Sequence, residues 1–350
     1  MPNRPTQYNR STELTRTRIA TIRRQDEALR LRRQGLPYIE IARQLGFTPN
    51  GVPRPQSAAE AVRAAERREA LRNSEVAVAT VTAEEPVTIP AIPSQRTFGF
   101  EAEFFGITPS VAVQALTAVG LVAQSERWNH ETRPHWKVTT DGSVTGRGTG
   151  CGTGLELVSP ILQGEQGIAD AAKAVKALLD AGAKVDKTCG LHVHLGMDGL
   201  TGSDIMKVVD YYTANGNLVD SMLATSRHNS RWAQKYSQRA LLGDFNGFRT
   251  LTSNNEMRVA TRGYDRYRTV NLTAYGKYGT IEFRQHQGTL NPEKVTSWVK
   301  FVMALTEKAV TLSDAYATAT DLPTLLGELS LTDETRSFLI RRAERLSASR

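Results

Sequence analysis

Thr97-Phe98-Gly99-Phe100-Glu101-Ala102-Glu103-Phe104-Phe105 is the stretch that decides the architecture of this chain. Its large apolar residues recur at every second position, the repeat of a strand whose side chains alternate between two faces. Glu101 and Glu103 therefore share one face, opposite the phenylalanines. Two carboxylates held side by side repel each other and lose hydration unless water, a base or a cation balances them. Mg²⁺ or Mn²⁺ favours such oxygen donors. A solvent-facing strand edge with two solvated acids satisfies the same pattern, so the stretch by itself leaves both readings open.

Similar strands follow. In Gly190-Leu-His192-Val-His194-Leu-Gly196 the period of two puts both imidazoles on one face and Leu191, Val193 and Leu195 on the other. One imidazole can ligate a metal while the other donates to an anion. Gly279-Thr-Ile-Glu282-Phe-Arg284-Gln-His286 places Glu282, Arg284 and His286 together by the same spacing. An arginine beside a glutamate offers a planar cation suited to a phosphate or carboxylate. Thr139-Thr-Asp141-Gly-Ser143 is a tight turn, and Glu156 lies on the strand that follows the glycine-rich residues 146–154. Arg266-Tyr-Arg268-Thr-Val-Asn271 is a further strand with both arginines on one face. Each motif alone is compatible with a salt bridge or a satisfied core histidine. Together they describe a sheet with a polar face that something must cover or neutralise.

Composition limits the alternatives. The 350 residues include 40% hydrophobic residues and two cysteines, Cys151 and Cys189, which fit no CxxC or Cys/His finger spacing. That count and spacing disfavour a disulfide scaffold and a structural zinc site. No apolar run reaches the ~18 to 20 residues of a membrane span, and the Arg-rich start has no signal-peptide core. A cytoplasmic protein without a membrane partner is the expectation. The glycine-rich stretch lacks the Gly-Lys-Ser/Thr ending of a phosphate loop, and no dinucleotide-binding turn occurs. It suits a flexible loop that can gate the site.

The net charge of +8 is confined to residues 1–72, which carry 15 arginines, no lysine and seven acids; the rest of the chain is balanced. Residues 13–34, a segment opened by Pro37, and a segment capped by Ser57 and Glu60 predict three helices. Residues 28–72 resemble a helix-turn-helix module, with Pro49, Pro53 and Pro55 requiring the third helix to start late or be absent. DNA and a protein surface are equal candidate partners for this basic module. The domain expectation is thus a module over 1–72, a proline-containing linker over 73–95, a catalytic domain over 96–315 and a helical tail over 316–350. Helices are expected at 166–181, 203–225, 293–312 and, as two short pieces, within 321–350.

Taken in order, residues 97 to about 305 resemble the amidoligase family of the carboxylate-amine ligase superfamily, which includes glutamine synthetase and glutamate-cysteine ligase. The motifs are Phe98-Gly-Phe-Glu101-Ala-Glu103, Asp141-Gly-Ser143, Gly154-Leu-Glu156-Leu-Val-Ser159-Pro160, Cys189-Gly-Leu-His192-Val-His194-Leu-Gly196, Tyr267-Arg268-Thr-Val-Asn271-Leu and Tyr278-Gly-Thr-Ile-Glu282-Phe-Arg284-Gln-His286. The resemblance implies an α+β fold: a curved, mainly antiparallel sheet with helices on one face and ATP with divalent cations on the other. It implies Glu103 and Glu156 on one metal, and Glu101, His192 and Glu282 on another. It further implies His194 on phosphate, Arg268 and Arg284 at the transferring phosphoryl group, and Asp141 near the incoming amine.

The implied function is an ATP- and Mg²⁺- (or Mn²⁺-) dependent ligase. It would join a carboxylate and an amine through an acyl phosphate, on a small molecule, peptide or protein. Two alternatives stand beside it: a metal-dependent hydrolase, and a DNA-binding or scaffolding protein with a degenerate ligase domain. Substrate identity and oligomeric state are not encoded in any motif.

Overall fold

The computed structural model describes residues 21, 23–77, 93–145, 154–237, 241, 243, 245–313 and 318–348. Most of the 146–154 stretch, Cys151 and the central part of the 73–95 linker lie outside the described residues. The chain divides into two compact units, residues 1–86 and 87–350.

In the first unit, a helix over residues 23–33 is followed by Tyr38–Gln44 and Pro55–Ala77. Ala28, Leu31, Ile41, Ala42, Ala58, Val62 and Ala65 form its small core. Pro49 opens a short 3-10 turn and Pro55 occupies the first position of the third helix. The prolines thus set a late helix start, where a missing N–H costs nothing. Ten residues separate the second and third helices, more than the tight turn of a standard helix-turn-helix. Many arginines are engaged locally: Arg30 with Glu27, Arg33 with Glu69, Arg43 with Glu40, and Arg24 and Arg32 over the rings of Phe47 and Tyr38.

The second unit is built on a seven-stranded sheet. Its strands are β1 (Phe98–Phe104), β2 (Ala123–Ser125), β3 (Trp136–Thr140), β4 (Leu155–Val158), β5 (Gly190–Gly196), β6 (Val270–Asn271) and β7 (Thr280–Gln287). The order is β2-β3-β4-β1-β5-β7-β6, antiparallel throughout except for β2 with β3. This is the α+β arrangement, with a mainly antiparallel sheet, that the resemblance implies.

Helices Gly164–Asp180, Gly202–Ala214 and Pro292–Thr311 contribute the apolar layer. Phe100, Phe104, Val193, Leu195, Phe283, Val175, Leu178, Met206, Val209, Trp298 and Val302 belong to one buried cluster. Helix starts follow local chemistry: Thr201 and Asp204 form a reciprocal capping box, and Asn291 caps Pro292–Thr311. The helical stretch expected over 203–225 is broken after Ala214 and resumes at Gly216–Ser221 before a 3-10 turn, Thr225–Arg227. Helices Leu322–Gly327 and Asp333–Ser347 bury Leu325, Leu326, Phe338 and Leu339 in the same core.

One expectation is overturned within β7. The pairing runs Val193 with Phe283 but Leu191 with His286, so β7 holds one surplus residue in this interval. Such a bulge shifts the alternation. Glu282 and Arg284 stay on the polar face, whereas His286, 2% exposed, packs its ring 5.0 Å from that of Trp298. His286 belongs to the helix-packed side and not with Glu282 and Arg284.

Candidate active site

On the polar face, register brings the predicted residues into rows. Glu103 is paired with Glu156 across β1 and β4, Glu101 with His192 across β1 and β5, and His194 with Glu282 across β5 and β7. A cavity of about 790 Å³ lies over them, lined by Glu101, Glu103, Asp141, Glu156, His192, His194 and Arg284. Glu282 stands beside these residues, with Oε1 3.4 Å from His192 Nδ1.

His192 is the hub. Its Nδ1 lies 3.2 Å from Glu101 Oε2, and its Nε2 lies 3.8 Å from Glu103 Oε1. Two donor sets result, Glu101/His192/Glu282 and Glu103/Glu156/His192, each with ligand atoms within 4.8 Å of one another. Gly190 makes room for this: a Cβ there would lie 2.9 Å from His192 Nε2. Its N–H donates to Glu103 Oε2 at 2.6 Å. Around Glu282, Asn271 Nδ2 donates to Oε2 at 2.7 Å, and the Arg284 guanidinium binds Oε1. Thr280 Oγ1 is 3.0 Å from His194 Nδ1, leaving Nε2 3.7 Å from Glu101 Oε1.

The electrostatics separate the four carboxylates. Burial, reinforced by repulsion from Glu101, Glu103, Asp141 and Glu282, pushes Glu156 well above the usual carboxylate range. Burial likewise raises Glu103, against the attraction of His192. Glu101 is partly buried, but its contacts with His192 and His194 outweigh the desolvation and hold it well below that range. Glu282 is lowered despite burial by Arg284, His194 and His192. His194 is raised despite burial, chiefly by Glu101 and Glu282.

Asp141 sits at the Glu103/Glu156 end of the cavity. Its Oδ1 accepts from the backbone N–H and the hydroxyl of Ser143, both at 2.7 Å. Gly154 is required beneath this turn, since a Cβ would lie 2.3 Å from that of Val144. Arg268 is placed differently from expectation. The segment around it is an isolated bridge to Gln234 and not a long strand. Its guanidinium pairs with Asp265 at 3.1 Å, and it is not among the cavity-lining residues. Arg266 lines the cavity instead.

Three further contributors have weak sequence signals. Asn271 sits inside a quoted motif but carries no charge. Lys137 is buried on the polar face, where Nζ bonds the Asn129 and Glu131 carbonyls and Asn129 Oδ1, all at 3.1 Å, holding the 126–135 loop over the site. Arg227 lies in an irregular segment with no periodicity to orient it. The cavity wall also carries Trp128, Trp232, Tyr267 and Tyr278, all exposed.

A mainly antiparallel sheet covered by helices on one face, with a double acid–histidine centre on the other, defines an α+β protein with its chemistry on an open sheet face. Residues 94–306 match the family model described as "Putative amidoligase enzyme", and the chain belongs to that family. Among solved structures, a bifunctional glutathione synthetase from Pasteurella multocida is similar at 12% identity and a TM-score of 0.33, over 72% of this chain and 47% of that one. The chain thus spans about half the length of that protein. No curated protein matches. Among the described residues, no helix is long and apolar enough to cross a membrane.

Proposed function

We propose that the protein is an ATP- and Mg²⁺- (or Mn²⁺-) dependent carboxylate-amine ligase that forms an amide or isopeptide bond through an acyl phosphate. The observation that carries this reading is the pair of donor sets sharing His192 on one sheet face. The donors fit hard divalent cations: carboxylate oxygens with one imidazole, two of the acids buried against mutual repulsion. Thr139 Oγ1 supports the fit, because it is buried opposite Glu156 without a hydrogen-bond partner among the described residues.

Glu103 and Glu156 with His192 would hold one cation, and Glu101, His192 and Glu282 a second. When bound, the cations supply charge neutralisation for a polyphosphate. His194, oriented by Thr280, is positioned to donate to phosphate oxygens. Arg284, anchored by Glu282, provides a fixed positive charge for the transferring phosphoryl group. The substrate carboxylate attacks the γ-phosphate, ADP leaves, and a neutral amine then displaces phosphate to leave the amide. Asp141 is suited to accept the amine proton, since Ser143 engages Oδ1 and no bond to Oδ2 is formed among the described residues. The loop over 126–135 limits access of water to the acyl phosphate.

A cytoplasmic location, and DNA or a protein surface as the partner of the basic residues 1–72, complete the proposal. The test is incubation with ATP, Mg²⁺ and pooled amino acids and peptides, followed by mass spectrometry. Condensation products with loss of water, matched by ADP and phosphate and abolished by Glu101→Ala and Arg284→Ala, are expected. Product formation with water and without nucleotide would indicate a hydrolase and overturn the proposal.

A further inference from the structure

Arg227 enters the cavity wall from the 3-10 turn Thr225–Arg227 and is 5% exposed. Its Nε donates to the Gln285 carbonyl at 3.1 Å and its Nη2 to the Arg284 carbonyl at 2.9 Å. Both acceptors lie in the β7 bulge, where the surplus residue takes backbone groups out of the β5 ladder. Two bonds leave most of the five-donor fork unused.

The neighbouring cation is treated differently. Arg284 has a carboxylate partner of its own in Glu282. Arg227 has no carboxylate within ion-pair distance among the described residues, and Glu103 is the foremost acid favouring its charge. Glu103 is already committed, with Oε2 taken by Gly190 N–H and Oε1 facing His192. A buried guanidinium without its own counter-ion is costly to maintain, and an anion delivered by a ligand removes that cost. The anion would sit at the Glu103/Glu156 end of the cavity, which Thr188 and Asp141 also line. The groups assigned to phosphate, His194 and Arg284, lie beside the other donor set, next to Glu101 and Glu282.

We propose that Arg227 binds a carboxylate of the acyl substrate beside the Glu103/Glu156 donor set, its planar fork matching the two carboxylate oxygens. This inference rests on the ligase reading and narrows it: the acyl donor is an anionic acid held by a bidentate arginine at this end. Arg227 touches the substrate in this role, and no proton transfer is assigned to it.

The experiment uses the full chain with glutarate, acetate, inorganic phosphate and MgADP as separate probes, read by calorimetry and thermal shift. In the wild type, glutarate or acetate binds in the presence of MgADP. Arg227→Gln weakens that binding at least tenfold while MgADP affinity stays within twofold; Arg227→Lys, which keeps a charged donor for the bulge carbonyls, recovers part of the loss and serves if the glutamine variant does not fold. Equal carboxylate affinity in wild type and variants overturns the proposal, as does absence of carboxylate binding to a wild type that binds MgADP. A loss confined to phosphate or MgADP also overturns it, by assigning Arg227 to the nucleotide. Failure of MgADP to bind the wild type, with the carboxylate response intact, would instead sink the ligase reading.

Discussion

Glu103 and Glu156 face each other across β1 and β4, both buried and both raised above the usual carboxylate range. Like charges placed directly opposite on paired strands destabilise a sheet. Their burial penalty is the first-order cause of both shifts, so the folded state favours their protonated forms. Stability from these two groups is therefore present at low pH and lost as pH rises from the unfolded value near 4.5 through the raised folded values. In EDTA, the melting temperature should fall over that window. Mg²⁺ or Mn²⁺ should restore it at neutral pH, and thermal shift across pH with and without cation checks both.

Glu101 and Glu282 act in the opposite sense. Their folded values are depressed, so their contribution is present above 4.5 and lost as pH falls through the folded values. Glu156→Gln should stabilise the cation-free protein by about 1 to 2 kcal/mol, by removing a buried charge from a repulsive group. It should also lower Mn²⁺ affinity at least tenfold. Chemical denaturation and calorimetric titration provide the two readings.

Arg284 and Arg268 were equal candidates by motif but are not equal in position. Arg284→Lys should reduce ATP-dependent turnover by about 10² to 10³, the range for loss of one fixed transition-state donor. Arg268→Ala should change turnover by less than about fivefold, since Arg268 pairs with Asp265 outside the cavity lining and a partly exposed ion pair contributes little. Steady-state measurement of ADP release by the two variants distinguishes them.

His286 should behave as a core residue. Burial, aided by Arg342, holds it well below its ordinary value, so it is neutral at pH 7. Its stabilising contribution is full above 6.5 and declines as pH falls through the folded value. His286→Ala should cost about 2 to 3 kcal/mol through the cavity it leaves against Trp298. Mn²⁺ affinity at saturating stability should not change, which titration at low temperature will show.

The four tryptophans divide into two exposed at the cavity wall, Trp128 and Trp232, and two buried, Trp136 and Trp298. MgADP should alter intrinsic fluorescence through the exposed pair. Trp128→Phe and Trp232→Phe should together abolish the change, leaving the emission of the buried pair.

Much of this protein follows from periodicity. The alternation in 98–104 and 190–196 assigned Glu101, Glu103, His192 and His194 to one face, because a strand repeats every two residues wherever it lies. Helix positions followed from caps and apolar stripes, and the late third helix of the basic module from its prolines. The clustering of charge in residues 1–72 was also a property of the chain alone.

Tertiary structure decided what periodicity cannot express. A one-residue bulge in β7 sent His286 to the helix layer, and only the pairing with β5 reveals it. Arg266 lines the cavity and Arg268 does not, because their segment is a loop bridged to Gln234, free of strand alternation. Arg227 reached the site from an irregular turn, held by carbonyls that the same bulge releases. Sequence spacing assigns side chains to faces within an element; which elements become neighbours, and where their register slips, depends on long-range packing.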